Sequence, residues 1–179
     1  MIGKIKKIYL CLLLLMLISV PVSAAQDLEL KKGLGMTPTE FMNKFNAFME
    51  SIKHPMAIPT ITLEKHDVHD AFRHFFSENI GLAGVMQKAD KRLLSLTVLG
   101  APIGNDERWD LMLIYGAIIA VVNPELNEDQ RGELVTSLMM DSSGSLQQQS
   151  IQVRKDIKYE FKIDDTFGIQ FYVTNAEEN

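Results

Sequence analysis

The stretch from 151 to 173 constrains the fold more than any other, because its apolar residues recur with a period of two. Ile151, Val153, Ile157, Tyr159, Phe161 and Ile163 fall on one side, with Lys155 the exception, and Gln152, Arg154, Asp156, Lys158, Glu160 and Lys162 on the other. Asp164-Asp165-Thr166 reads as a turn, after which Phe167, Ile169, Phe171 and Val173 alternate back. Strands with one packed and one wet face belong to an antiparallel sheet, since parallel strands are buried on both faces and run continuously apolar. Something apolar must cover the packed face. Residues 109–122 supply it: Leu111, Leu113, Ile114, Ile118, Ile119 and Val122 make a helix that is apolar almost all round, and such a helix is buried. It starts near Asn105 and Asp106, with acids at the positive end of its dipole, and ends at Asn123-Pro124.

Two more helices are marked by their caps. Thr37-Pro38-Thr39-Glu40 is a capping box with proline at the first helical position, and Met36 is placed to staple onto Phe41. Phe41, Met42, Phe45, Phe48, Met49 and Ile52 share one face of this helix, which ends near Lys53. Such a stripe reads first as core and second as a binding groove. Asn127, with Gln130 as its return partner, caps a third helix whose inner face is Leu134, Val135, Leu138 and Met139.

Strand signals fill the space between. Residues 57–63 are β-branched, with Pro59 arguing for an edge or a strand start. Residues 70–77 are aromatic-rich, and 82–88 and 92–99 flank a hairpin turn at Ala89-Asp90-Lys91. Gly81 and Gly84 permit a bulge or break. The expected fold is α+β: a single antiparallel sheet of about five strands with three helices on one face, in the order α-β-β-β-α-α-β-β. That order resembles the small, acidic, dimeric chaperones of bacterial secretion systems. The resemblance is one of topology alone and carries no residue across, and those proteins are cytoplasmic.

The N-terminus points elsewhere. Lys4, Lys6 and Lys7 precede an apolar run over residues 8–20, Pro21 breaks it, and Val22-Ser23-Ala24 offers small residues for a signal peptidase. Thirteen apolar residues are short of the ~20 that span hydrocarbon. Cys11 follows the large Leu10 at the start of the run, which is not the setting of a lipoprotein cysteine. The expected organisation is a cleaved signal (1–24), a flexible leader (25–36), one α+β domain (37–174) and a frayed tail (175–179), located in the periplasm or secreted. Removing 24 of the 179 residues leaves 155, enough for a core without disulfides. The mature chain would have no cysteine, so packing alone must hold it. Its charge falls from −5 to −8 when the three signal lysines leave. Such an acidic domain is a poor partner for nucleic acid or an anionic membrane surface, and no stable membrane insertion is expected after processing.

Few residues carry a chemical signal. His66, His69, Asp70 and His74 concentrate metal-ligand types within nine residues. On a helix, His66, Asp70 and His74 would stack, whereas on a strand His66 and His69 would point to opposite faces. A polar connection without metal is the plainer reading, and no cofactor is expected. The carboxylate pairs Asp164-Asp165, Glu177-Glu178 and Glu128-Asp129 read as a turn, a tail and a helix first turn. Ser142-Ser143-Gly144-Ser145 lacks the setting of a nucleophile elbow, and residues 100–104 contain no phosphate-binding lysine. Trp109, Arg108 and Tyr115 are of the types that anchor protein partners, although a tryptophan at a helix start is more often a core plug. The reading that follows is an exported, non-enzymatic cell-envelope protein that binds another envelope or secreted protein, as an inhibitor, immunity factor or chaperone does, and that can form a homodimer. A small-ligand or lipid-binding protein is the alternative, and a metal-dependent enzyme using His66, His69 and His74 the second.

Overall fold

A computed structural model describes residues 32–101, 105–140, 145–164 and 166–177. The expected signal peptide and the leader as far as residue 31 lie outside the described residues. Among the described residues three helices, α1 (Pro38–Ser51), α2 (Asn105–Val122) and α3 (Glu128–Met139), accompany seven strands. These are β1 (Leu63–Glu64), β2 (His69–Phe75), β3 (Ile80–Gln87), β4 (Leu93–Gly100), β5 (Gln149–Arg154), β6 (Ile157–Asp164) and β7 (Gly168–Asn175). They form one antiparallel sheet in the order β1-β2-β3-β4-β7-β6-β5. The α+β class is as expected, but the sheet has seven strands, not about five.

Two departures from the expected strands have separate causes. β1 replaces the expected strand over 57–63. Pro59 cannot donate to a ladder, and the Asn46 side chain on α1 answers both backbone groups of Ile58, donating to its carbonyl and accepting from its N–H, each at 2.8 Å. The backbone there docks on a helix, leaving only Leu63 and Glu64 to pair with Phe72 and Ala71. β5 arises because the long alternation from 151 to 163 is broken at Lys155. Arg154 pairs with Ile157 across a two-residue turn in which Lys155 adopts φ 53°. The chain reverses there, so Ile151 and Val153 do not share a face with Tyr159 and Phe161.

Register sorts the side chains. Phe72, Leu82, Leu96, Val98, Phe171, Val173, Tyr159 and Phe161 lie on one face and pack with all three helices in the main core. Phe41, Phe45 and Met49 of α1, Leu111, Ile114 and Ile118 of α2, and Leu134 and Leu138 of α3 reach it from above. Both capping boxes form as the sequence predicts. The break falls between β2 and β3, and the β3–β4 register shifts between Val85 and Met86; Gly84 itself serves packing, since a Cβ there would collide with the ring of Phe72 across the ladder. Past the end of α2, buried Asn123 donates to the Tyr159 hydroxyl (2.7 Å) and so ties the central helix to β6. On the other face Ala83, Leu99 and Phe75 form a small second cluster that includes no described helix residue.

Residues 32–36 and 175–177, the described parts of the expected leader and tail, bond to the domain. Leu34 and Met36 are buried, and they sandwich Leu93 with two backbone hydrogen bonds, Leu34 N to Leu93 O (2.7 Å) and Leu93 N to Met36 O (2.8 Å). Buried Asn175 donates to the Gly33 carbonyl (3.1 Å), and Lys32 reaches Asp156 at 2.7 Å and Glu177 at 3.8 Å. No helix among the described residues is long and apolar enough to cross a membrane.

Candidate functional site

α2 is fixed on three sides. Asn79 in the β2–β3 turn donates to Glu107 at 2.6 Å, His54 beyond α1 lies 3.7 Å from Asp110, and Leu111 fills the space above Gly100. At about 100° per residue these contacts leave Trp109 on the outward side of the helix. Its side chain is 64% exposed, the highest value among the large exposed hydrophobics of the described residues. Arg108 beside it is also exposed, and Met112 and Leu113 on the next turn are half-buried. The reading of Trp109 as a core plug is therefore overturned: the core direction of α2 is taken by Leu111, Ile114 and Ile118.

Tyr115 goes the other way. It is 1% exposed and stacks on Phe171 with ring centroids 4.3 Å apart. Burial pushes its hydroxyl pKa well up. It cannot touch a partner and belongs to the core, which corrects the expectation that it joins Trp109 and Arg108 in an interface.

Next to the start of α2 runs a groove of about 520 Å³, lined by Asn46, Glu50 and Lys53 of α1 and its end and by the following His54, Pro55, Met56 and Ala57. α1 closes with Lys53 in the left-handed region (φ 56°), its N–H bonded to Glu50 O and the His54 N–H to Met49 O, each at 2.9 Å. This Schellman closure turns His54 back toward Asp110. Ile52 is exposed at the same helix end. Sequence periodicity placed Ile52 in the core stripe; the helix ends too soon to carry it there.

The histidines are distributed along β2. His66 precedes the strand, with Nε2 3.9 Å from Glu64. His69 opens the strand opposite Gln87, and Asp70, on the other face, lies 3.7 Å from Lys88. His74 is opposite Leu82, five residues or about 16 Å beyond His69 at ~3.3 Å each. It packs edge-on against Phe76 at 4.7 Å, and burial lowers its pKa more than its backbone bond to Ala57 raises it. Among the described residues no three histidine, cysteine or acidic side chains are grouped to hold a metal ion. The carboxylate pairs keep structural work: Asp164 accepts from the backbone of Thr166 and Phe167, Glu128 and Asp129 occupy the first turn of α3, and Glu177 faces Lys32.

What the arrangement offers is thus a surface feature: an exposed tryptophan and arginine on the first turns of a firmly held helix, beside a groove. No family model, no curated protein and no solved structure matches this chain.

Proposed function

We propose that this is an exported, non-enzymatic cell-envelope protein that binds another protein through the start of α2, with Trp109 as the anchor and Arg108 beside it. The exposure of Trp109 is the observation that carries the reading. An indole left in water on a helix whose other faces are packed gains nothing for folding, whereas tryptophan and arginine are the side chains that dominate interface energetics when a partner desolvates them. The rigid setting supports this, because a preorganised anchor loses little freedom on binding. Export rests on the three lysines, the apolar run and the small residues at 22–24.

The test is capture from an envelope extract by the purified protein and by its Trp109→Ala and Arg108→Ala variants. The wild type retains a protein partner, and Trp109→Ala weakens capture by about thirtyfold, the effect of a hot-spot truncation near 2 kcal/mol. Equal capture by the wild type and by Trp109→Ala removes Trp109 from the interface. Export is read separately, from the N-terminus of the cellular product: a start at Met1 in the cytosol contradicts it.

A further inference from the structure

The two edges of the sheet are unlike. β1 is two residues long, with Pro59 shortly before it. β5 is six residues long and has no proline or bulge, and its one charged residue, Arg154, stands at its last position beside the turn. Its even-numbered residues bond to β6: Arg154 pairs with Ile157 next to the turn, and Ile163 N donates to Gln148 O (2.8 Å) in the same phase. Antiparallel ladders alternate, so the backbone groups of Gln149, Ile151 and Val153 point away from the sheet. The Val153 carbonyl accepts from the Arg154 guanidinium (3.0 Å). The same three side chains lie on the face opposite the helices, where Ile151 is 52% and Val153 48% exposed.

We propose that β5 pairs antiparallel with the β5 of a second copy across a two-fold axis at Ile151, giving a homodimer with one continuous sheet. Self-complementarity selects the second copy. With the axis at Ile151, Ile151 meets its counterpart and Gln149 meets Val153, so every outward-facing residue of each strand finds an outward-facing one. A shift by two residues in either direction brings Lys155 of the turn, or Gln147, whose N–H is already bonded to Met139 O, into the ladder. In the favoured register Ile151 and Val153 of both copies become direct and diagonal neighbours on one face and cover one another. Charge agrees. The chain as a whole is at −5, which sets copies against each other, but residues 145–153 carry no charge, and Arg154 falls opposite Gln148 of the second copy. An uncharged edge has no means of selecting an acidic or basic foreign strand, whereas an isologous pair needs none.

The experiment is sedimentation velocity on the exported protein, purified after expression of the full chain, from about 1 to 100 µM. The wild type dimerises within this range. Ile151→Lys, which sets two ammonium groups facing each other on the axis, weakens the dimer at least about tenfold while circular dichroism shows the folded spectrum of the wild type and the melt stays cooperative. A second measurement does not depend on that variant folding: in a Cys11→Ser background, Ile151→Cys is joined into dimers by a short bis-maleimide and Leu63→Cys on the opposite edge is not. A monomer throughout the range, a dimer that survives Ile151→Lys in folded form, or equal crosslinking at both edges overturns the proposal.

Discussion

Trp109 is the largest apolar side chain in the molecule, and the fold leaves it outside. Its removal should therefore separate binding from folding. Urea denaturation of Trp109→Ala is expected to give a stability within about 0.5 kcal/mol of the wild type, as for surface substitutions in general, alongside the loss of partner capture. A drop of several kcal/mol would mean that the indole packs. Gly84 is the converse case, a residue with no side chain that the core depends on. The Phe72 ring occupies the place of its Cβ, so Gly84→Ala must displace an aromatic ring that packs against Phe41. Overpacking of this kind costs about 1–3 kcal/mol, measured as a shift in the urea midpoint at constant slope. His74 adds a dependence on pH. Its pKa is lowered from 6.5, first by burial. A depressed folded pKa means that the neutral form is favoured in the native state. The stabilisation is complete above the ordinary value and is lost as pH falls through the lowered one. Thermal melts should therefore fall between pH 7 and the acid side of that window, and His74→Gln should melt with a shallower dependence there.

The elements differ in how their ends are made. α1 and α3 open with complete capping boxes, but α1 closes on Lys53 in a conformation that suits glycine. A non-glycine residue in the left-handed region is strained by roughly 1 kcal/mol. Lys53→Gly should therefore stabilise the protein by about 0.5–1 kcal/mol in chemical denaturation, less what glycine loses in unfolded-chain entropy. No gain would show that the lysine stem contributes packing of its own. The caps were legible in the sequence because capping is local: threonine or asparagine and the residue three places on decide it. β4 and β7 were legible because they alternate, β2 from its aromatic content, and β3 from the hairpin turn at Ala89-Asp90-Lys91 that joins it to β4, since its own residues are buried almost without a break. β5 was not, because a turn through Arg154-Lys155-Asp156-Ile157 contains no glycine, asparagine or proline, and the alternation runs through it in phase. The sign that could have found it is Lys155 standing in the apolar register. Trp109 could be named as an anchor type from composition, but its outward direction depends on Asn79, His54 and Gly100, which are distant in sequence. Tyr115 was misplaced for the same reason, since only the sheet beneath it decides which side of an all-apolar helix is inside.

At the scale of the molecule, the fold is closed by its own ends. Leu34 and Met36 enter the core just before α1, Asn175 just after β7 holds the Gly33 carbonyl, and Lys32 spans Asp156 and Glu177. The ion pairs are exposed, and pairs of that kind contribute little. Their hydrogen bond to Lys32 does hold the Asp156 carboxyl below its usual range, a stabilisation present above the unfolded pKa and lost on acidification through the folded one. The larger share comes from the two buried side chains and the strand-like bonds to Leu93. Burying a leucine or methionine side chain is worth about 1.5–3 kcal/mol, so the pair supplies about 3–6 kcal/mol, against a total near 5–15 kcal/mol for a domain. A chain that begins at Thr37 keeps every described helix and strand yet lacks this closure. It should lose about that much stability in urea and expose the edge of β4 near Leu93, where it becomes prone to association. Replacing Leu34 and Met36 together by alanine in the full chain should reproduce most of the loss with the ends still joined. If the truncation destabilises and the double substitution does not, the backbone bonds to Leu93 and the Asn175 clasp hold the ends, not the apolar side chains.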